Sequence, residues 1–321
     1  MRSPQFIQLH QDDDAAARAE LAAGLQAQPA HVAPKFLYDA LGSRLFDAIT
    51  ELPEYYPTRT ERAIFESHRA AIAEAVGRGR TLVDLGAGNC EKAAAWFHAL
   101  APRAYVAVDI SVAYLRQTLA TLQQRHPRLP MWGVGLDFSA ALHLPSELAV
   151  GDSAGERLLF YPGSSIGNFT PAQALGFLRE TRREARGGAL LIGVDLVKAR
   201  PLLERAYDDP LQVTAAFNRN LLRRLNTLLG TDAQVEDFEH VARYDEGLQR
   251  IEMHLQARRA LRLRWPGGER QLSAGERIHT ENSYKYTTTG FGALLAQAGY
   301  QDPRCWTDEQ GWFAVFSAQA G

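Results

Sequence analysis

The sequence predicts an α/β fold, with a largely parallel sheet that closes in an antiparallel C-terminal hairpin and a second, α+β unit beside it. Three observations predict this. Residues 81–92 (TLVDLGAGNCEK) read as a buried strand, a glycine turn and a helix start. Apolar runs at 105–108, 131–135, 158–161 and 189–195 then recur between stretches of helical period, as successive βα units do. Beyond residue 230 the period changes to two-residue alternation before a last helix and hairpin.

Composition narrows the class. A chain of 321 residues suits two domains better than one core. Its hydrophobic content of 46% supports ordinary globular cores, and a net charge of −2 without a basic block argues against a nucleic-acid enzyme and for a small-molecule substrate. The two cysteines, Cys90 and Cys305, form no spaced metal motif and no disulfide framework, which points to a reducing compartment and to no metal site. No apolar run reaches membrane-spanning length, and Asp12, Asp13 and Asp14 stand where a signal peptide would be basic and then apolar. A cytoplasmic protein without a membrane partner is expected, and a monomer is compatible with all of this.

Taken in order, residues 15–26 form an alanine-rich helix, and Leu41, Leu45, Phe46 and Ile49 mark a second helical face. Residues 52–57 (LPEYYP) read as a rigid aromatic loop, in which the adjacent Tyr55 and Tyr56 point different ways; the pair suits a lid as well as a packing element. Thr58-x-x-Glu61 is read as a capping box that opens a helix reaching about Val76. The central strand follows, then a helix through Ala93, Trp96, Phe97 and Leu100. The strand at 105–108 ends in Asp109, with Ser111 as the cap of the next helix, and the strand at 131–135 leads to Asp137 and Phe138. Residues 139–155 show little period. The strand at 158–161 opens into a glycine-rich loop (PGSSIGNF), which can present the Gly163 backbone and the Asn168 amide to a substrate; Thr170-Pro171-x-Gln173 then starts a helix. Residues 201–230 are helical, 238–277 an antiparallel meander, 291–298 the last helix, and 304–317 the hairpin. The sheet would then be built from 58–197 and 283–321, and the second domain from 1–57 and 198–282, covering the substrate.

The turn itself selects a ligand. Gly86 and Gly88 admit a close backbone approach, and the helix after them offers unpaired N–H groups. A dinucleotide fingerprint would place a third glycine where Glu91 stands, and a glutamate there repels a pyrophosphate. S-adenosylmethionine has no phosphate and a positive sulfonium, and hydrophobic-Asp-Leu-Gly-x-Gly resembles the first motif of class I methyltransferases. Asp109 stands about twenty residues past the turn, placed to accept the ribose hydroxyls; Asp137 and Phe138 are placed for adenine. The expected cofactor set is Gly86, Gly88, Lys92, Asp109, Asp137 and Phe138.

Longer runs carry a closer resemblance. LPEYYPTRTE (52–61), GSSIGN (163–168), AYDD (206–209), VTAAFNRN (213–220) and Glu281-x-Ser283 are similar to the histidine-specific Nα-methyltransferases of ergothioneine biosynthesis, along essentially the whole chain. The resemblance implies a class I, Rossmann-like sheet with a substrate domain, S-adenosylmethionine as cofactor, and trimethylation of the histidine α-amine to hercynine. It implies Tyr38 and Asn168 at the amine as the catalytic pair, with Asn168 and Tyr207 on the carboxylate. It implies Tyr56, Glu281 and Ser283 on the imidazole and Met253 near the ring, with Gly163 among the substrate-binding residues. Another amino-acid Nα-methyltransferase, acting for example on a tryptophan derivative, is the alternative enzyme. A non-catalytic sensor of S-adenosylmethionine is the alternative of another class, and it would have no use for these polar residues.

Overall fold

The computed structural model describes residues 3–9, 14–110, 112–139, 141–145, 148 and 155–321. The chain divides into two units: residues Met1–Gln11, Pro57–Val197 and Tyr286–Gly321 form the first, and Asp12–Tyr56 with Lys198–Lys285 the second. The sequence assigns residues 1–57 wholly to the second unit. The first eleven fall in the first, because strand β1 (Gln5–Gln8) pairs in parallel with β4 (Met131–Gly135) at the sheet edge. The later border also differs, at 285 rather than 282.

The first unit is an eight-stranded mixed sheet. β2 (Thr81–Leu85) lies at its centre between β3 (Ala104–Asp109) and β5 (Arg157–Tyr161), all parallel. β4 continues beyond β3, and β6 (Ala189–Asp195) beyond β5. β13 (Phe313–Gln319) then runs antiparallel on β6, and β12 (Gln301–Thr307) antiparallel on β13. The order is β1-β4-β3-β2-β5-β6-β13-β12, the α/β sheet with a closing hairpin that the sequence predicts. Strands β2, β4, β5 and β6 are buried along their whole length, which is why they read as continuous apolar runs. Each such Val, Leu or Phe contributes about 1.5–3 kcal/mol by leaving water. Gly133 shows how closely β1 packs: a Cβ there would lie 2.6 Å from the Phe6 ring.

Helices cover both faces of this sheet. α3 (Tyr56–Ser67) and α4 (Arg69–Val76) stand where the sequence predicts one helix, separated at His68. The helix after the glycine turn is likewise two short pieces, α5 (Glu91–Ala94) and α6 (Phe97–Leu100). α7 (Val112–Arg125), α8 (Pro171–Ala185) and α11 (Thr288–Gln297) complete the set. The capping box at Thr170 and Gln173 is formed in full. The one expected at Thr58 and Glu61 is not: α3 already begins at Tyr56, so Glu61 lies a turn inside the helix and is buried. Ser111, the expected cap of α7, lies outside the described residues, as do Asp12 and Asp13.

The second unit contains α1 (Asp14–Gln26), α2 (Ala40–Thr50), α9 (Arg200–Arg205) and α10 (Val213–Leu228). Strands β7 (Phe238–Asp245), β8 (Arg250–Ala257) and β11 (Arg277–Tyr284) form a three-stranded antiparallel sheet in the order β11-β8-β7. β9 (Leu261–Trp265) and β10 (Gly268–Leu272) form a separate hairpin around Pro266-Gly267. Asp39 caps α2 through Gly42 N–H at 2.7 Å and accepts from Asn220 of α10 at 2.8 Å, so one carboxylate oxygen ties the two helices. Among the described residues no helix is long and apolar enough to cross a membrane.

Candidate functional site

In the first unit the glycine turn is held from beneath. Gly86 and Gly88 take φ of +72° and +50°, which a side chain rarely adopts. Gly86 and Ala87 donate backbone N–H to Val108 of β3, and Gly88 N–H donates to Asp109 Oδ2 at 3.1 Å. Asp109, expected at the ribose, therefore also supports the turn. Under the turn, burial lifts the Asp84 carboxyl to about 7 against a hydrogen bond from the Tyr105 hydroxyl at 2.8 Å. Asp137 Oδ1 accepts from the backbone and hydroxyl of Ser139, a local turn that fixes this loop. Phe138 packs edge-on to Tyr161 at 5.8 Å, and a Cβ on Gly86 would lie 3.7 Å from its ring.

The loop after β5 is anchored by Glu61, the residue that spacing alone makes a helix cap. Glu61 accepts from Gly163 N–H at 2.7 Å and from the Lys92 ammonium at 2.8 Å, with its own side chain 1% exposed. Gly193 on β6 makes the space, since a Cβ there would lie 2.1 Å from Glu61 Oε1. Three parts thus meet at one carboxylate: α3, Lys92 on α5 and Gly163. A glutamate in the first turns of a helix, among polar neighbours, was the available signal. Asn168 ends a 3₁₀ turn, Ser165–Asn168, and is half-buried. Thr170 takes the cap of α8, and among the described residues no side-chain hydrogen bond is formed by Asn168. A helix-capping role for Asn168 is therefore set aside.

Asn168→Ala is expected to leave stability within about 0.5 kcal/mol, as for a side chain with no structural bond. Turnover should fall about 10- to 150-fold, the loss of one hydrogen bond to a charged ligand group. Melting curves and steady-state rates check this; an unfolded variant, or one with full turnover, would return Asn168 to a structural role.

In the second unit a β-bulge decides which side chains share a face. β11 pairs with β8 as His279↔His254 and then Glu281↔Met253, with the register shifted between His279 and Glu281. Without the bulge His279 and Glu281 would lie on one face; with it they part. Glu281 and Ser283 join Met253, while His279, Asn282 and Tyr284 turn to the other side, where His279 bonds Asn282 and Tyr284 accepts from Arg250. Met253 is buried beside Glu281. Burial lifts the Glu281 carboxyl to about 7, with Lys285 pulling the other way, and its Oε2 has no hydrogen-bond partner among the described residues.

Lys285, which the sequence does not single out, completes this face. Its ammonium donates to Ser283 Oγ at 2.7 Å and to Tyr207 Oη at 3.0 Å, and Tyr207 donates to Ser283 at 2.7 Å. Residues 281, 283 and 285 alternate along one strand direction, and that period was the signal that could have found it. The resemblance puts Tyr207 on a carboxylate; here its hydroxyl hydrogen is given to Ser283. Tyr207 is placed in turn by His240, which bonds the Tyr207 carbonyl at 2.8 Å and Asn218 at 2.9 Å; burial holds His240 below the usual histidine pKa.

Tyr55 and Tyr56 are both buried, against the expectation that they point apart. Neighbours entering a helix differ by about 100°, not the 180° of a strand, so two can face inward. Tyr56 Oη accepts from Lys198 at 2.9 Å. Tyr38 packs edge-on to Phe46 and Phe217, and contacts run on from Phe46 through Tyr55 to Tyr207.

The sheet order, the glycine turn without a third glycine, and an acidic residue at the end of β3 define an S-adenosylmethionine-dependent methyltransferase. The chain belongs to the family described as histidine-specific, SAM-dependent methyltransferases, whose model matches residues 17–320. It is 40% identical over 308 residues to a histidine N-alpha-methyltransferase of Mycolicibacterium smegmatis, covering 94% of each chain. To one of Mycobacterium tuberculosis it is 41% identical over 316 residues, covering 95% of this chain and 96% of that one. An L-tryptophan methyltransferase of Psilocybe serbica is more distant, 26% identical over 314 residues, with 88% and 87% covered.

The donor set fits this cofactor. Glu91 opens α5 and is paired with Arg125, so a carboxylate stands where a pyrophosphate would need a glycine. Asp109→Ala should weaken S-adenosylmethionine binding by one or two charge-assisted hydrogen bonds, about 1.5–3 kcal/mol each. Calorimetry measures it, and an unchanged affinity would remove Asp109 from the ribose.

Proposed function

We propose that the protein trimethylates the α-amine of L-histidine to hercynine, the first step of ergothioneine biosynthesis, as a cytoplasmic enzyme needing no nucleic-acid or membrane partner. The observation that carries this is the face of β11. Glu281 offers a buried oxygen, Oε2, without a hydrogen-bond partner among the described residues and Ser283 a hydroxyl, and a neutral imidazole has one N–H and one acceptor nitrogen to match them. The family and the mycobacterial relatives support the same substrate.

Gly86, Gly88, Lys92 and Asp109 are assigned to the cofactor, with Asp137 and Phe138 at adenine. Bound S-adenosylmethionine supplies a methyl group on positively charged sulfur. The amine must be neutral to accept it. Asn168 is assigned to orient the amine and carboxylate without adding charge, and the Tyr38 hydroxyl to accept a hydrogen bond from the amine and aim its lone pair, the proton shed between rounds passing to solvent. Tyr56, Glu281 and Ser283 are assigned to the ring, with Met253 beside it and Tyr207 in support of Ser283. Most of the acceleration on this reading comes from positioning.

Incubation with S-adenosylmethionine and each amino acid in turn, followed by product masses, is the test. Three successive methyl additions to histidine are expected. Addition to tryptophan or its derivatives alone would replace the substrate, and binding of the cofactor without transfer to any amino acid would make the protein a sensor.

A further inference from the structure

Lys285 is buried, 2% exposed, and its ammonium lies over the Tyr207 ring at 4.8 Å as well as donating to two hydroxyls. An ammonium donates and never accepts, so both hydroxyl oxygens must receive from it. Ser283 Oγ also receives the Tyr207 hydrogen. A serine oxygen has two lone pairs, and both are then used. What Ser283 has left is its own hydrogen, and it can meet a further partner only as a donor. Two residues away on the same face stands Glu281, whose Oε2 has no partner among the described residues. Met253, opposite Glu281 on β8, brings no charge, and among the described residues Lys285 is the charge that acts on the carboxyl, favouring its ionised form.

We infer that Lys285 is a positioning residue: it commits Ser283 to donating and Glu281 to accepting, so that this face selects a ring with one N–H and one bare nitrogen. The inference rests on the assignment of the imidazole to Glu281 and Ser283 and deepens it. An imidazolium, with two N–H groups, would set one of them against the Ser283 hydrogen. Phenyl and alkyl side chains would leave both protein groups unpaired. Lys285 touches neither substrate nor cofactor in this scheme and acts through its two neighbours.

The experiment uses the full chain with four changes: Lys285→Met, Lys285→Arg, Ser283→Ala, and Lys285→Met combined with Ser283→Ala. Lys285→Met should raise KM for histidine about 10-fold, the loss of one charge-assisted bond's worth of order, with kcat little changed. The low-pH limb of kcat/KM should move upward by about one pH unit, because Glu281 loses the charge that favours its ionised form. Lys285→Arg should bring the limb back. In the double variant the KM effects should be less than multiplicative, since Lys285 acts partly through Ser283. An unmoved limb, or fully multiplicative effects, would overturn the inference. A second readout needs no substrate: titration of the Glu281 carboxyl by carbon NMR, with Glu281→Gln for assignment, should show a higher midpoint in Lys285→Met, and an equal midpoint would overturn it. If Lys285→Met does not fold, Lys285→Gln takes its place in both measurements. Should the native protein not methylate histidine, the functional reading fails by itself, and the carboxyl titration still decides whether Lys285 controls Glu281.

Discussion

Replacing Glu281 and Ser283 together with alanine is expected to lower kcat/KM for histidine by up to about 10⁴-fold and to raise tryptophan relative to histidine. A site built on buried polar groups rejects ligands that leave them unpaired, and the penalty reaches that order. Glu281 and Ser283 are both buried on one face of β11, flanked by Met253. The double change removes a carboxylate that burial already disfavours in its charged form, together with a hydroxyl, and so leaves apolar room. It also strips Lys285 of Ser283, although Tyr207 still accepts from it, which keeps the ammonium partnered. The measurement is kcat/KM for histidine and tryptophan on both proteins. If the native protein already prefers tryptophan, the substrate assignment fails while the family stands. If the ratio does not move, these two residues do not address the side chain.

The second large effect is expected at Glu61. Glu61→Ala should destabilise the first unit by about 1–3 kcal/mol, less than for a fully buried ion pair, because the Lys92 side chain is 41% exposed and its ammonium can return to water. The Gly163 amide loses its acceptor as well. Lys92 and the loop after β5 lose their common anchor, so cofactor affinity should fall with stability. Thermal unfolding and calorimetry read the two. Glu61→Gln should separate them: it keeps the volume and one acceptor oxygen but sets an amide against the ammonium. Wild-type melting together with wild-type cofactor affinity in Glu61→Ala would show that the buried carboxylate is dispensable.

Much of the first unit is legible in the sequence because its signals are local. The strands β2 to β6 are short apolar runs, β2 is followed at once by its glycine turn, and Thr170 to Gln173 spells a cap that the helix uses. The differences share another cause. Glu61 fits a capping box by spacing alone, and only the start of α3 at Tyr56 puts it inside the helix. β1 is four residues long, and its partner β4 lies more than a hundred residues later, so no local pattern marks it. Strand geometry would part Tyr55 from Tyr56, whereas the chain there is entering a helix.

The sequence by itself determined the α/β class, the glycine turn at 86–88 and the acidic strand end at Asp109. These are properties of neighbours in the chain: period, turn chemistry, and which side chain can donate or accept. The tertiary structure decided which groups are already spoken for. It set Gly163 and Lys92 on Glu61, gave the Tyr207 hydrogen to Ser283, and put Lys285 under both. The bulge between His279 and Glu281 is the clearest case, because one extra residue sends Glu281 to the face of Met253 and leaves His279 with His254. A period of two cannot reveal such a shift, since it depends on how β11 hydrogen-bonds to β8 and not on the order of residues within β11.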